Sequence, residues 1–355
     1  MVTDRGSNMV AAFNCFPHIY CINHLLNNVI EKAIKNVEEL NELCNLCSKL
    51  VKYFKKSGDN CKLSQTLKSH CPTRWNTMYY LLESVEKNWM DVNNILQQKN
   101  ELQKVEKINI SHIKGIVNVM RQFEQASKTL EGEKYATLHL VYAYINGLRD
   151  TCISEDDDIE LVKKFKEALF ENIQTTVFLN ISMTHKIAHF LFPPANKLLQ
   201  FSKDEMDNIK SKCAEELKIL WQNEGEEIME SPTSTKTSVI SSYFKNFVSP
   251  TSNLTWDDKI AREIQTYQNL DVPFEENFNV ISWWYLHRTQ LPLLYKLSCK
   301  LLATPASSAS SERVFSIARQ LLSEKRTNLS SNSTIFSQIM FLHMNTDNII
   351  ICDIV

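Results

Sequence analysis

Glycine is scarce in this sequence, with 6 residues among 355, and no Gly-x-Gly or Gly-Lys pair occurs. Dinucleotide fingerprints, Walker loops and the glycine loops of kinases all need such pairs, because the backbone must pass close to a phosphate. The sequence therefore excludes these three nucleotide-binding motifs.

A large excess of charge of either sign is also absent, since the 39 Lys and Arg residues are balanced by 41 Asp and Glu residues. A basic coat over the whole molecule is excluded, so any contact with nucleic acid must be local. No signal peptide and no apolar run long enough to span a bilayer occur, and we expect no membrane partner. The 10 cysteines are scattered, a pattern typical of a reducing compartment without disulfides.

Apolar residues recur at helical spacing from Leu25 to Phe54, which predicts one long or two consecutive helices ended by Gly58. The same period continues to about Asn223. Between positions 231 and 252, thirteen of 22 residues are Ser, Thr or Pro, a composition typical of a linker. We therefore expect a mostly helical α+β chain with a domain boundary in this Ser/Thr/Pro-rich stretch.

The most distinctive part of the sequence is the segment Thr304–Ser316, which contains Pro305 and four serines before Glu312. Proline and serine favour a turn, and the serine hydroxyls can cap a helix that begins near Ser310. Glu312 then lies in the first helical turn, where the helix dipole favours a carboxylate by about 0.3–1 kcal/mol. A helix start alone thus explains this glutamate.

Together with Trp283-Trp284 and the closing segment Ser337–Leu342, this segment resembles the C-terminal region of hAT-family transposases. The resemblance extends from Trp256 to Asn345 without an obvious gap. It rests on the order Trp-Trp, Pro, Ser-Ser-Glu-Arg-x-Phe-Ser and Arg-x-x-Leu, which is far more specific than any short motif. The resemblance implies that the C-terminal region is the family's dimerisation region.

Earlier segments are similar to the same family. The residues around Asp4 resemble the strand end that carries the family's second catalytic carboxylate, Cys21-x-x-His24 resembles its Cys-x-x-His element, and Arg74-Trp75 its Arg-Trp element. The resemblance implies four parts: a partial RNase H-like segment (1–77), a helical insertion (78–230), a linker (231–255), and the dimerisation region with the last RNase H-like helices (256–347).

In this family, two Asp and one Glu hold two divalent metal ions that cut and join DNA strands. Asp4 and Glu312 match the second and third carboxylates, whereas the first lies upstream of the Asp4 element and has no match here. The three residues before Asp4 span at most about 10 Å, too few for the missing strands. We therefore expect vestigial catalytic positions, no cofactor, and Mg²⁺ only if a longer protein brings an upstream Asp.

A zinc site is an alternative use of the four residues spaced by three, Cys15, His18, Cys21 and His24. Structural zinc sites usually take two ligand pairs from separate elements, with a longer gap between the pairs. We expect no metal site here and interpret Cys21 and His24 as packing beside the Asp4 loop. Cys44-x-x-Cys47 has no second pair nearby and is interpreted as helix core.

Three residues are candidates for DNA contact. The resemblance places Arg74 and Trp75 near the active site, where the guanidinium would contact phosphate and the indole would stack on a base, although Trp75 could equally be a core aromatic. Arg313 lies in a locally basic stretch, because positions 286–326 hold seven basic and two acidic residues. Such a stretch could lie along a DNA backbone and contact its phosphates, or it could form a solvent-exposed edge of the protein.

Large apolar residues of the C-terminal region are candidates for a dimer contact, since they exceed what one short helical unit can bury. The competing interpretation is that they fill the core of the fold itself. The candidates are Trp283, Trp284, Leu294, Phe315, Ile339 and Leu342.

These observations predict a transposase-derived nuclear protein that acts through homodimerisation, retains some DNA binding, has no small-molecule substrate and does not catalyse strand cleavage. Two alternatives remain open at this point. The chain could be a partial sequence of an active hAT transposase with metal-dependent strand transfer. It could also be a domesticated transcription regulator or a SUMO-ligase-like protein, as in some BED-finger relatives.

Overall fold

The structure, a computed structural model, describes residues 2–4, 6, 11, 18–71, 74, 76–224 and 255–321 of the chain. These ranges contain thirteen α-helices and one sheet of two short strands. The prediction of a mostly helical α+β chain is confirmed. None of the helices in these ranges is long and apolar enough to cross a membrane.

The strands β1 (Val2–Thr3) and β2 (Ile19–Tyr20) pair in parallel, with Val2 opposite Ile19 and Thr3 opposite Tyr20. The helices, in chain order, are α1 (Ile22–Asn36), α2 (Glu38–Ser57), α3 (Thr77–Lys87), α4 (Trp89–Gln98), α5 (Ile110–Leu130), α6 (Val141–Thr151), α7 (Glu160–Asn172), α8 (Met183–Phe190), α9 (Lys203–Glu224), α10 (Trp256–Asn269), α11 (Val280–His287), α12 (Pro292–Leu302) and α13 (Ala309–Leu321).

The chain divides into two compact units. The first comprises Met1–Thr137, Tyr144–Asn180 and Pro305–Val355, and the second comprises Leu138–Ala143 and Ile181–Thr304. The four parts implied by the family resemblance are delimited by sequence motifs, whereas these two units are delimited by packing. The boundaries of the four parts therefore stay a prediction. Apart from Thr255, the proposed linker lies outside the described residues.

In the first unit, α1 packs against α2, α5 and α7. Its buried residues Leu26, Val29 and Ala33 recur at helical spacing, and burying such an apolar stripe is the main stabilisation of a helix this short. Two helices, not one, cover the predicted stretch, because Val37 is extended between them. Gly58 ends α2 in the left-handed conformation, with φ 77°, which a glycine adopts without the strain of a Cβ atom. Cys44 and Cys47 are buried in α2, as predicted.

In the second unit, aromatic side chains bind the carbonyl groups at the end of α8. The Trp284 indole Nε1–H donates to the Leu191 carbonyl at 2.8 Å, and the Tyr267 hydroxyl donates to the Phe190 carbonyl at 2.8 Å. The last carbonyls of a helix have no partner within the helix, and leaving them buried without one is costly. These two hydrogen bonds therefore join α10 and α11 to α8.

We expect Trp284→Ala to lower the free energy of unfolding by about 3–5 kcal/mol, because it removes a buried indole and leaves the Leu191 carbonyl without its donor. Urea denaturation followed by circular dichroism measures this change. The exposed Glu276→Ala variant is the control, with an expected change within about 0.5 kcal/mol. A loss below about 1 kcal/mol in Trp284→Ala would contradict this account of the core.

Candidate functional site

Asp4 lies where the parallel strands end. The Cys21 N–H donates to the Thr3 carbonyl at 2.8 Å, which brings the end of β2 beside the end of β1. Asp4 follows Thr3 directly, and its Oδ1 accepts the Gly6 N–H at 3.0 Å. The carboxyl ends of parallel strands are a common position for ligand sites.

Residues 305–309 are held against the start of α1 in the first unit. The Ile22 N–H donates to the Ala306 carbonyl at 3.1 Å, and the Ala306 N–H donates to Thr137 Oγ1 at 2.9 Å. The buried Cys21 Sγ lies 3.4 Å from Ser307 Oγ and accepts the Ser308 N–H at 3.3 Å. These four contacts, here called the α1–α13 clamp, place the first turn of α13 beside α1.

The start of α13 confirms the predicted helix cap. The Ala309 N–H donates to Ser307 Oγ at 3.2 Å, and the Ser308 hydroxyl donates to Glu312 Oε1 at 2.7 Å. The Glu312 N–H donates to the Ser308 carbonyl at 3.1 Å, so Glu312 lies in the first turn. Its half-exposed side chain is thereby directed by the serine that precedes the helix.

His24 links the two candidate carboxylates. Its Nε2 lies 3.8 Å from Glu312 Oε1. Burial lowers the pKa of His24, but the hydrogen bond and charge of Cys21 and the charges of Glu312 and Asp4 outweigh it and raise the pKa above its usual value. The four side chains therefore form one electrostatic cluster, and the predicted packing of Cys21 and His24 beside the Asp4 loop is confirmed.

The pKa of the Cys21 thiol shifts in the opposite direction, below its usual value. Burial raises its pKa, but hydrogen bonds from His24, Ser307 and Ser308 outweigh this and lower the pKa to about 7. A thiolate is favoured at a helix N-terminus and next to an imidazolium. The contact between Cys21 and His24 thus lowers the pKa of the thiol and raises the pKa of the imidazole.

The family's two-magnesium chemistry needs three or more oxygen ligands that converge on two ions. The cluster offers two carboxylates, and each already has a partner: Asp4 binds the Gly6 amide, and Glu312 binds Ser308 and His24. Its other members are a thiol and an imidazole, which magnesium disfavours. Among the residues that the structure describes, no group of three or more acidic, His or Cys side chains could hold a metal ion. The described residues do not fit a two-magnesium centre.

Two predicted DNA-binding residues are described. Arg74 is exposed and lies in the turn before α3, where its carbonyl accepts the Thr77 hydroxyl at 3.0 Å. The Arg313 guanidinium forms ion pairs with Glu131, at 3.4 Å, and with Glu133. A DNA phosphate would compete with these two carboxylates for Arg313. Trp75 lies outside the described residues, so its role stays a prediction.

The predicted dimer residues divide by exposure. Trp284 and Leu294 are buried in the second unit, Trp283 is half-buried with its ring stacked 3.8 Å from that of His287, and Phe315 is 73% exposed. Ile339 and Leu342 lie outside the described residues. Sequence reasoning missed the two serine contacts to Cys21 and the two glutamates that pair with Arg313, since no local spacing signals contacts between such distant residues.

We expect Glu312→Gln to lower the pKa of His24, because a neutral amide no longer favours the imidazolium. NMR titration of the His24 ring measures this pKa. Glu133→Gln is the matched control: Glu133 pairs with Arg313 instead, and its loss should leave the His24 pKa unchanged. A His24 pKa that does not move in Glu312→Gln would contradict the cluster described here.

Comparison with known proteins identifies one matched region and two similar proteins. Residues 263–345 match the hAT family C-terminal dimerisation region. The Transposable element Hobo transposase of Drosophila melanogaster is 31% identical over 357 residues, covering 88% of this chain and 54% of that protein. Zinc finger BED domain-containing protein 4 of Homo sapiens is 19% identical over 347 residues, covering 92% of this chain and 29% of that protein.

The chain thus spans about half the length of the Drosophila transposase and under a third of the human protein. The family match falls on the predicted dimerisation region, and the likeness to the transposase extends over most of the chain. Residues 263–345 of the chain therefore match the hAT family C-terminal dimerisation region, and most of the chain is similar to a transposase.

Proposed function

We propose that this chain is a transposase-derived nuclear protein that acts by homodimerisation through its C-terminal region and keeps a local contact with DNA. The observation that carries the proposal is the match of residues 263–345 to a dimerisation region. The proposal includes an RNase H-like arrangement around the Asp4 strand, which the parallel pairing of β1 and β2 supports.

The exposed side of α11 supports dimerisation. Ile281, Tyr285 and Leu286 are 51%, 55% and 71% exposed and lie within the matched residues. On the other side of the same helix, Val280 and Trp284 are buried in the second unit. Aromatic and large aliphatic side chains held on a fixed helix are typical anchors of protein interfaces. We assign the dimer contact to these three residues, here called the α11 outer face.

DNA contact in this proposal is local and electrostatic. The chain has no net excess of basic residues, so binding would depend on individual side chains such as Arg74, which is exposed before α3. Arg313 would contribute only if phosphate replaced Glu131 and Glu133. Phosphate contacts by single side chains give affinity that falls with salt and carries no sequence preference.

An active transposase is the second candidate function, and one observation favours it: Asp4 and Glu312, which match two catalytic positions of the family, act on the same histidine. A longer protein that adds a third carboxylate at this cluster would make metal-dependent strand transfer available. The assay below separates the two candidates for the chain itself.

We expect the purified chain to sediment as a dimer and Leu286→Glu to weaken that dimer. A buried glutamate at an interface anchor costs about 2 kcal/mol or more, roughly 30-fold in Kd. Sedimentation equilibrium over a range of concentrations measures both. Leu199→Glu is the matched control, because Leu199 is 86% exposed and lies outside residues 263–345. A monomeric chain, or equal Kd values for the two variants, would overturn the assignment of the α11 outer face.

We expect no Mg²⁺-dependent nicking of supercoiled DNA by the purified chain, because its cluster supplies two carboxylates and the chemistry needs three or more. The assay compares Mg²⁺ with EDTA for the chain, Asp4→Ala and Glu312→Ala. Nicking that requires Mg²⁺ and disappears in both variants would establish the active transposase instead.

A further inference from the structure

A cavity of about 550 Å³ lies in the second unit, among α9, α10 and the turn before α12. Its volume falls within the range of about 300–1,000 Å³ that is usual for sites of small ligands. The residues that give it chemical character are Trp221, Trp256, Lys259, Arg262, Glu263 and Lys296. None of them belongs to the Asp4–Glu312 cluster or to the α11 outer face.

Two tryptophans form an aromatic wall of the cavity. The ring centroids of Trp221 and Trp256 are 4.0 Å apart, with their planes inclined by 34°. Lys259 Nζ lies 4.6 Å from the centroid of the Trp256 ring, a cation–π distance. Lys218 and Asp257 form an ion pair at 2.6 Å beside them, which holds the start of α10 to α9. The wall is therefore built from two helices and does not depend on one mobile side chain.

Positive charge dominates the lining. Glu263 is the one carboxylate among the residues that line the cavity, and its Oε1 accepts the Leu294 N–H at 2.7 Å in the first turn of α12. Burial raises the pKa of Glu263 to about 7, although hydrogen bonds from the backbone of Leu294 and Leu293 lower it. The lining thus holds three basic residues, Lys259, Arg262 and Lys296, and one carboxyl group, which is already bound to backbone.

We propose that this cavity binds an unpaired nucleotide, with its base on the Trp221–Trp256 wall and its phosphate beside Lys259 and Arg262. Every base has a π-face that stacks on an indole, and each stacked base contributes roughly 1–3 kcal/mol to the binding of single strands. A lysine and an arginine next to the aromatic rings supply the phosphate contact. An acidic peptide would use these two cations but would make no use of the aromatic wall.

Single-stranded DNA is the source of the nucleotide that fits best with a DNA-contacting chain, and in this respect the inference rests on the proposed function. Arg262 is exposed and Lys259 half-buried at the same cavity, so a strand could continue from the phosphate into solvent. A free nucleotide shares the same chemistry, and the experiment distinguishes the two sources.

The test measures fluorescence anisotropy of a dye-labelled short oligo(dT) strand mixed with the full chain. We expect Trp256→Ala to weaken binding roughly 5- to 150-fold, the loss of one stacked base. Phe274→Ala is the aromatic control, because Phe274 is exposed in the same unit and outside the cavity. Equal affinities for the wild-type, Trp256→Ala and Phe274→Ala chains would overturn the proposal.

A second variant tests the proposal independently, in case Trp256→Ala does not fold. Because Arg262 is exposed, Arg262→Gln should leave the circular dichroism spectrum unchanged. The slope of log affinity against log salt concentration should become shallower by about 0.7, which corresponds to the loss of one phosphate contact on a single strand. Lys203→Gln, exposed and outside the cavity, is its control. An unchanged slope in Arg262→Gln would overturn the phosphate assignment.

Competitors identify the source and the class of ligand. Displacement of the labelled strand by dTMP would show that one nucleotide is sufficient for binding. Displacement by unlabelled oligo(dT) but not by dTMP would show that the polymer is required. Either result supports the cavity if the displaced binding depends on Trp256. Equal displacement by poly-glutamate would overturn the role of the base. Dimerisation and duplex binding are measured with the same proteins. A wild-type chain that dimerises and binds duplex but does not bind the single strand would reject this inference alone, whereas a wild-type chain that neither dimerises nor binds duplex would reject the proposed function.

Discussion

The candidate cluster depends on the α1–α13 clamp. The Ile22 amide and the Ala306 carbonyl join residues that are far apart in the sequence, and the contacts of Cys21 with Ser307 and Ser308 lie at the same junction. His24 lies less than one turn into α1, and Glu312 lies in the first turn of α13. The backbone contacts of the clamp therefore decide that these two side chains meet, before their own charges add any attraction.

The electrostatics of the cluster follow from this placement. The Ser308 amide lies at the N-terminal end of α13, where the helix dipole favours an anion, and it donates to the Cys21 sulfur. The contact with His24 helps to lower the pKa of Cys21, and the charges of Cys21, Glu312 and Asp4 help to raise the pKa of His24. Both shifts arise at the Cys21–His24 pair, which lies at the clamp.

Local features of the fold could be predicted from the sequence, and contacts between distant residues could not. Helical spacing predicted α1 and α2, the Gly58 ending and the buried Cys44 and Cys47, because each depends on residues within a few turns. The hydrogen bond from the Ser308 hydroxyl to Glu312 is equally local. By contrast, the pairing of Arg313 with Glu131 and Glu133 and the stacking of Trp221 on Trp256 join separate segments. Composition and spacing carry no information on which distant glutamate or tryptophan will be the partner.

The C-terminal aromatics illustrate why residue type alone does not separate core from interface. Trp283, Trp284 and Tyr285 are consecutive, and each step along a helix turns the side chain by about 100°. Trp284 therefore points into the second unit, where its indole binds the Leu191 carbonyl, while Tyr285 and Leu286 are exposed. The buried tryptophan fixes the rotation of α11, and that rotation determines which apolar groups a second chain can reach. Side chains presented on a helix anchored in this way lose little additional freedom on binding, so an interface on the α11 outer face is less costly than the same residues on a loop.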